Sequence, residues 1–94
     1  MLVYESQNNI EDEFHNAINV INDLKISPDK KELLLLYGLY KQSLYGNNNT
    51  KSPFIVDIKG TYKWKAWESH RGKIKRVAIK EYILLVHKLI GKYQ

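Results

Sequence analysis

The sequence predicts an all-α protein, a four-helix bundle with one long connection between the second and third helices. Four segments carry apolar residues at helical spacing, and clusters rich in glycine, proline or asparagine separate them. The β-branched run at residues 54–58 has no partner strand elsewhere, so we expect an ordered loop there. The 94 residues have room for one domain, and no internal repeat is present.

The first predicted helix follows an apolar stripe at i, i+3, i+4 and i+7. Its members are Phe14, Ala17, Ile18 and Ile21, with Leu24 after them. Residues before about Ile10 are polar, and we expect them to fray. We therefore take residues 1–10 as a polar N-terminal extension and residues 11–94 as the domain.

The segment Ser27-Pro28-Asp29 marks the start of the second predicted helix, because proline suits the first turn of a helix. Asp29 followed three residues later by Glu32 resembles a capping box. The helix continues to about Tyr45 and is apolar on nearly every side. We expect it to contact helices on one face and something else on the other.

The last two predicted helices follow a loop at residues 46–53. Gly60 is expected to open a short third helix that stops near Gly72, and the fourth helix runs from about Ile74 to Tyr93. The buried stripe of the fourth helix comprises Ala78, Tyr82, Leu85, Val86, Leu89 and Tyr93.

Charge is divided unevenly along the chain. Residues 1–33 hold seven acids and three lysines, whereas residues 34–94 hold twelve bases and three acids, for a net charge of +5. A basic region beside an acidic one suggests that an anionic partner docks on one side. Nucleic acid, an anionic membrane and a phosphorylated small molecule all satisfy this requirement.

Composition excludes several kinds of site. There is no cysteine, which excludes disulfides and thiolate metal sites and fits a reducing compartment. The histidines at 15, 70 and 87 do not have metal-ligand spacing. Apolar runs fall far short of the ~20 residues that span a bilayer, and the first residues lack a signal-peptide pattern. We therefore expect a cytoplasmic protein without a metal ion or cofactor.

One face of the second helix passes from an apolar end to a cationic end. Leu34, Tyr37 and Lys41 are spaced by three and four residues, and Tyr40 lies beside them. This face suits an amphiphile with an apolar tail and a phosphate head. The alternative is a core helix whose lysine extends to water.

The third and fourth helices offer further candidate contacts. Lys63 lies among aromatic residues, and two ammonium groups from Lys41 and Lys63 on one dianion would make a charge-assisted site. Trp64 and Trp67 could instead be core anchors. The Tyr82 ring could stack on a purine or be an interior tyrosine.

Two motifs in the second and third helices resemble those of a known family. Residues 37–43 read Y-G-L-Y-K-Q-S and Gly46 follows, which is similar to the signature Y-x-x-Y-K-Q-[AS]-x-x-G of acyl-CoA-binding proteins. Residues 63–67 read K-W-K-A-W, as in the downstream K-W-x-A-W of that family. The resemblance covers residues 11–93 without a gap. It implies a four-helix bundle in up-down-down-up order that holds one acyl-CoA.

The resemblance also implies roles for individual residues. Tyr37, Lys41 and Lys63 match positions that hold the 3′-phosphate of the CoA ribose. Tyr40 and Tyr82 match positions that contact the adenine nucleotide region. The positions expected to cover the acyl tail, on the side of helices 1 and 2, are Phe14, Ile18, Ile21 and Leu34.

Three departures from the family pattern affect the expected head-group site. Asn22 stands where many members have a lysine that reaches toward the ligand, so an ionic contact is absent or replaced by a hydrogen bond. Tyr62 replaces a small residue; it narrows the head-group site or adds a stacking surface, as Trp64 could. Residues 72–76 place bases where an N-cap and acids are usual, which predicts a frayed start to the fourth helix. The basic rim could aid docking on an anionic membrane, or be a solvated charge cluster.

The expected function is reversible binding, sequestration and intracellular transport of medium- and long-chain fatty acyl-CoA esters, without catalysis. We expect a monomer with at most transient contact with a membrane surface. The alternative is a basic helical module that binds nucleic acid through its interleaved lysines and aromatic residues. A third interpretation, an isomerase or thioesterase, would need a base and an oxyanion site that the sequence does not suggest.

Overall fold

The predicted all-α architecture is confirmed. The computed structural model describes the backbone of residues 2–94 and the side chains of residues 9–94. Within that range the chain forms four α-helices and no strand: α1 at Leu2–Asn22, α2 at Lys30–Tyr45, α3 at Ile58–Glu68 and α4 at Lys75–Tyr93. The connection between α2 and α3 is the longest, as predicted.

The helices pack in the up-down-down-up order. α4 packs against both α1 and α2, and α3 packs against α2. Glu32 near the start of α2 contacts Lys92 near the end of α4, so these two helices are antiparallel. Gly38 lies against Ala66, and the pairing of residues 34 with 58 and 45 with 67 makes α2 and α3 parallel. Between residues 2 and 94, the backbones of α1 and α2 nowhere come into close contact, because each lies against α4 instead.

Aromatic rings fill the space where α1, α2 and α4 meet. The Phe14 ring lies 5.2 Å from the Tyr82 ring in an edge-on arrangement and 6.4 Å from the Tyr40 ring. Aliphatic side chains of the same three helices complete the core. The buried members of this core cluster are Phe14, Ala17, Leu36, Leu39, Tyr82, Ile83, Val86 and Leu89.

The start of α1 and both ends of α3 differ from the sequence expectation. α1 begins at Leu2, so the segment before Ile10 that was expected to fray continues the helix. Adding turns to an existing helix requires no new nucleation, and polar residues do not by themselves end it. α3 begins at Ile58 rather than Gly60, because the Asp57 carboxylate caps it by accepting a hydrogen bond from the Gly60 amide at 2.9 Å. It ends at Glu68, and turns occupy residues 69–72. Whether residues 1–10 lie outside the domain stays a prediction.

The helix starts bear out the capping predictions for α2 and α4. The Asp29 carboxylate accepts from the Glu32 amide at 2.8 Å, and the Glu32 carboxylate accepts from the Asp29 amide at 2.9 Å. This is the predicted capping box. Ile74 at the start of α4 has no side-chain cap, and no acid lies in the first turn. The fraying expected there stays a prediction.

Glu32 also joins the ends of two helices. Its carboxylate accepts hydrogen bonds from the Lys92 ammonium at 2.6 Å and from the Tyr93 hydroxyl at 2.5 Å. These hydrogen bonds stabilise the ionised form, foremost the one from Lys92, and they lower the pKa of Glu32 to about 2. The start of α2 is thus tied to the end of α4.

Two tryptophans hold the long connection between α2 and α3, and Gln42 binds the segment between α3 and α4. The Trp67 indole donates to the Gly46 carbonyl at 2.8 Å, and the Trp64 indole donates to the Thr50 carbonyl at 3.1 Å. Gln42 is fully buried, and its amide donates to the Lys73 carbonyl at 2.7 Å. The glutamine of the sequence motif therefore holds the end of α2 to the segment before α4.

The close approach of α2 and α3 requires a glycine at position 38. A Cβ built on Gly38 would lie 2.4 Å from the Ala66 carbonyl oxygen, well inside van der Waals contact. Backbone cannot move aside as a flexible side chain can. Gly38 therefore fixes the distance between these two helices.

Gly38→Ala should destabilise the fold by about 1–3 kcal/mol, the usual effect of forcing a methyl group into a packed contact. Urea denaturation followed by circular dichroism measures this change. Gly91→Ala is the matched control, since a Cβ there meets nothing within 4 Å. Equal stability of Gly38→Ala and the wild type would contradict the contact.

Glu32→Gln should flatten the acid dependence of stability between pH about 4.5 and about 2. The pKa of Glu32 is lower in the folded protein, so its contribution is present above the unfolded value and is lost as pH falls through the folded value. Denaturation midpoints measured across this window should converge for the variant and the wild type as pH falls. Glu11→Gln, at an exposed carboxylate of α1, is the control. A stability gap that stays constant across the window would contradict the assignment.

Candidate ligand-binding site

A groove opens between α1 and α2, where both helices lie against α4 and their described backbones do not come into close contact. Its volume is about 520 Å³, within the range of small-molecule sites. Apolar and aromatic side chains make up most of its lining, with Asn22 at the end of α1. The lining residues are Ile18, Ile21, Asn22, Leu24, Ser27, Pro28, Leu33, Leu36, Tyr37, Tyr40 and Tyr82.

A second groove of about 600 Å³ lies between α2 and α3. It is apolar in its centre and has three lysines in its lining. The lining residues are Lys30, Leu33, Leu34, Tyr37, Ile58, Lys59, Tyr62 and Lys63. Leu33 and Tyr37 belong to both grooves, so these two side chains form a ridge that separates them.

Two lysines from different helices lie beside this ridge. The Lys63 ammonium is 5.4 Å from the centre of the Tyr37 ring, and the Lys41 ammonium is 6.0 Å from it. Lys41 belongs to α2 and Lys63 to α3. The bundle therefore brings both cations close to one tyrosine, at the place where the two grooves adjoin. That both lysines bind one phosphate stays a prediction.

Aromatic rings surround the Lys41 ammonium. It lies 4.5 Å from the centre of the Tyr45 ring and 4.9 Å from the Trp67 ring. Such cation–π contacts hold the ammonium at this position and stabilise it by about 0.5–2 kcal/mol each. Among the side chains of residues 9–94, neither Lys41 nor Lys63 forms an ion pair with a carboxylate. Both charges can therefore bind an anion without first losing a partner.

The floor of the α1–α2 groove carries a tyrosine that stays protonated. Burial, with a smaller contribution from the neighbouring Tyr40, raises the pKa of Tyr82 to about 12. The Tyr82 ring is 4% exposed and lies 6.3 Å from the Tyr40 ring. Its hydroxyl is therefore a hydrogen-bond donor throughout the neutral pH range.

Most residues predicted for the acyl groove lie in or directly beneath the α1–α2 groove. Ile18 and Ile21 line it, and Phe14 lies in the core next to Tyr40 and Tyr82, which line it too. The placement of Leu34 on the α1–α2 side was wrong, since it lines the α2–α3 groove. Each residue of a helix turns the side-chain direction by about 100°, so the residue after Leu33 faces α3 instead of α1.

The residues predicted as departures from the family pattern fall in different places. Asn22 lines the α1–α2 groove, and Tyr62 is exposed along the α2–α3 groove near Lys63. Trp64 is directed toward the long connection, where its indole is bound to Thr50. Its side chain therefore holds the loop in place.

Sequence reasoning missed the ridge residue Leu33 and two of the four residues that α3 adds to its groove, Ile58 and Lys59. Leu33 is four residues before Tyr37, and this spacing indicates that the two share a face. Ile58 and Lys59 were assigned to a loop or a helix start, so no helical face was available to predict their direction. Lys30, in the first turn of α2, completes the set.

Two other kinds of feature, a metal site and a membrane-spanning helix, are absent from the described residues. Among residues 9–94, no group of three or more histidine, aspartate or glutamate side chains is placed to hold a metal ion. None of the four helices is long and apolar enough to cross a membrane.

Comparison with known proteins identifies the family. A family model described as acyl CoA binding protein matches residues 11–86. The chain belongs to the acyl-CoA-binding protein family. An acyl-CoA-binding protein of Saccharomyces cerevisiae is 46% identical over 80 residues, which cover 85% of this chain and 92% of the relative.

Solved structures of acyl-CoA-binding proteins share the fold. The crystal structure of Oryza sativa acyl-CoA-binding protein 2 has a TM-score of 0.87 at 34% identity and covers 93% of this chain and 95% of its own. The solution structure of the yeast protein has a TM-score of 0.69 at 46% identity, with 85% and 93% covered. These comparisons give no support to a nucleic-acid-binding module.

Proposed function

We propose that this chain binds long-chain fatty acyl-CoA esters reversibly, one per chain, and sequesters and transports them inside the cell without altering them. The observation that carries this proposal is that the Lys41 and Lys63 ammonium groups lie 6.0 and 5.4 Å from the centre of the Tyr37 ring, which lines both apolar grooves. An acyl-CoA has the matching chemistry, a phosphorylated head joined to an apolar tail. Membership of the acyl-CoA-binding protein family supports the same ligand.

In this proposal the lysines bind the 3′-phosphate of the CoA ribose. Two ammonium groups on one dianion give charge-assisted hydrogen bonds, which are stronger than neutral ones. The Tyr37 hydroxyl adds a third donor near the same phosphate. Tyr40 and Tyr82 offer their rings, and Tyr82 a protonated hydroxyl, to the adenine nucleotide.

The apolar grooves supply the gross affinity for the tail. Burying a tail of ~16 carbons at ~0.8 kcal/mol per methylene yields on the order of 10 kcal/mol, from which ordering and association remove several. The residues we propose for tail contact are Phe14, Ile18, Ile21 and Leu34, joined by Leu33 and Ile58. We call Lys41 and Lys63 together the cationic centre. Because two grooves adjoin it, the tail has two apolar surfaces available to it.

The cationic centre supplies specificity for the CoA ester. A free fatty acid would fill an apolar groove equally well, but it would leave the two ammonium groups without a phosphate. Coenzyme A alone would satisfy the ammonium groups and leave the grooves empty. High affinity therefore requires both parts of one ligand.

We propose binding without chemistry, by a monomer in the cytoplasm. The chain contains no cysteine, so no thiolate is available to attack the thioester. The family description names a binding protein and no reaction. The thioester of palmitoyl-CoA should hydrolyse no faster with the protein than without it.

Calorimetric titration should show tight binding of palmitoyl-CoA at one site per chain, much weaker binding of coenzyme A and hardly any binding of palmitate. The reason is that only the ester engages grooves and lysines together. The palmitoyl-CoA affinity should fall modestly with salt, because tail burial dominates it. A steep salt dependence with a preference for RNA would instead support the nucleic-acid alternative.

Lys41→Ala and Lys63→Ala should each weaken palmitoyl-CoA binding by about 1.5–3 kcal/mol, about a tenfold to hundredfold rise in Kd. The reason is the loss of one charge-assisted bond to the phosphate. Lys31→Ala on α2 and Lys65→Ala on α3 are matched controls, since both lysines are exposed and lie outside the two grooves. Unchanged affinity of Lys41→Ala and Lys63→Ala would overturn the head-group assignment.

A further inference from the structure

The most exposed apolar side chains of the described structure lie together just before α3. Phe54 is 86% exposed, Ile55 90% and Val56 84%, and Ile58 follows at 66%. Single exposed apolar residues are common on protein surfaces, but a run of large ones marks an interaction site. Phe54, Ile55 and Val56 belong to neither groove, so the ligand site does not account for them.

The backbone here is a closed turn, held at both ends. The Asp57 amide donates to the Phe54 carbonyl at 2.9 Å, which places Ile55 and Val56 at the tip. We call residues 54–57 the apolar turn. Its far end caps α3 through Asp57, and Thr50 ahead of it is bound by the Trp64 indole. The turn is therefore held in place before any partner arrives.

Lysines lie on both sides of the apolar turn along the chain and in the adjoining groove. Lys51 precedes it and Lys59 follows it, and both are exposed. Lys30 and Lys63 line the adjoining groove together with Ile58. The Asp57 carboxylate is bound to the first turn of α3, and the acids of α1 lie on a helix that packs against α4 and makes no backbone contact with α3.

We propose that the apolar turn docks this protein on anionic lipid bilayers. Ile55 and Val56, with Phe54 beside them, enter the interfacial region, and Lys51 and Lys59 contact the lipid phosphates. Apolar burial together with attraction to anionic lipids is the general basis of reversible interfacial binding. Docking of this kind does not depend on the proposed acyl-CoA ligand.

The shape and charge of the surface favour a bilayer over a protein partner. A tip of three side chains offers far less area than the ~800 Å² per partner of a stable protein interface. A second copy docked turn to turn would oppose lysines with lysines, and like charges repel. A bilayer needs no matching pocket, and its anionic headgroups complement the lysines that flank the turn.

Introduced tryptophans test whether the tip enters the bilayer. Ile55→Trp should show a blue-shifted emission with vesicles of phosphatidylcholine and phosphatidylserine, and bromine atoms on the lipid tails should quench it. Leu84→Trp is the matched control, because Leu84 is a 67% exposed apolar residue of α4, away from the turn. Trp64 and Trp67 contribute equally to both variants. Equal quenching of the two variants, or none in either, would overturn the proposal.

Vesicle sedimentation tests separately the insertion of the apolar side chains and the attraction to anionic lipids. The double variant Ile55→Ser with Val56→Ser should bind anionic vesicles more than about tenfold more weakly, and Leu84→Ser should bind like the wild type. Vesicles of phosphatidylcholine alone should retain little of any of these proteins. Unimpaired binding by the double variant would refute docking through the turn.

The same double variant distinguishes a bilayer from two other possible occupants of the turn, the acyl-CoA ligand and a second copy of the chain. Its palmitoyl-CoA affinity without vesicles, and its monomeric state in sedimentation, should match the wild type. A lower affinity would mean that the turn covers the ligand, and a lost dimer would mean that it covers a second copy. Either result would overturn the bilayer proposal while leaving the head-group assignment to be decided by the lysine variants.

Discussion

The site depends on how closely α2 and α3 approach each other at Gly38. Without a side chain at this position, the Ala66 carbonyl comes to within 2.4 Å of the place where a Cβ would lie. Lys63 is one turn before Ala66 on α3, and Tyr37 adjoins Gly38 on α2. The helix contact therefore determines the distance of 5.4 Å between the Lys63 ammonium and the Tyr37 ring. A glycine that contacts no ligand positions one of the two cations.

The α1–α2 groove exists because the bundle leaves this helix pair without backbone contact over the described residues. α1 and α2 each lie against α4, and the aromatic side chains of Phe14, Tyr40 and Tyr82 fill the space beneath the gap. These rings pack against one another and leave no free space, so α1 and α2 cannot move together to close the gap. Core side chains thus form the floor of the groove. Glu32 joins the start of α2 to the end of α4 through Lys92 and Tyr93.

Local features of the fold could be predicted from the sequence, and features that depend on neighbours could not. Helical spacing and the capping box at Asp29 are properties of a few consecutive residues. The face of Tyr37 and Lys41 follows from their four-residue separation. The neighbour of each face depends on packing, so Leu34 was assigned to α1 although it faces α3. The start of α1 at Leu2 was missed because polarity does not stop a helix.

The aromatic surroundings of Lys41 have an electrostatic consequence. Rings hold the ammonium in place, as a carboxylate would, but they do not cancel its charge. Together with the neighbouring Lys63, it leaves a local positive potential that extends into solvent over about a Debye length, ~8 Å at physiological ionic strength. Polyanions diffusing past the mouth of the grooves are drawn toward it. Tyr45 and Trp67 thereby influence how often an encounter succeeds, although neither lines a groove.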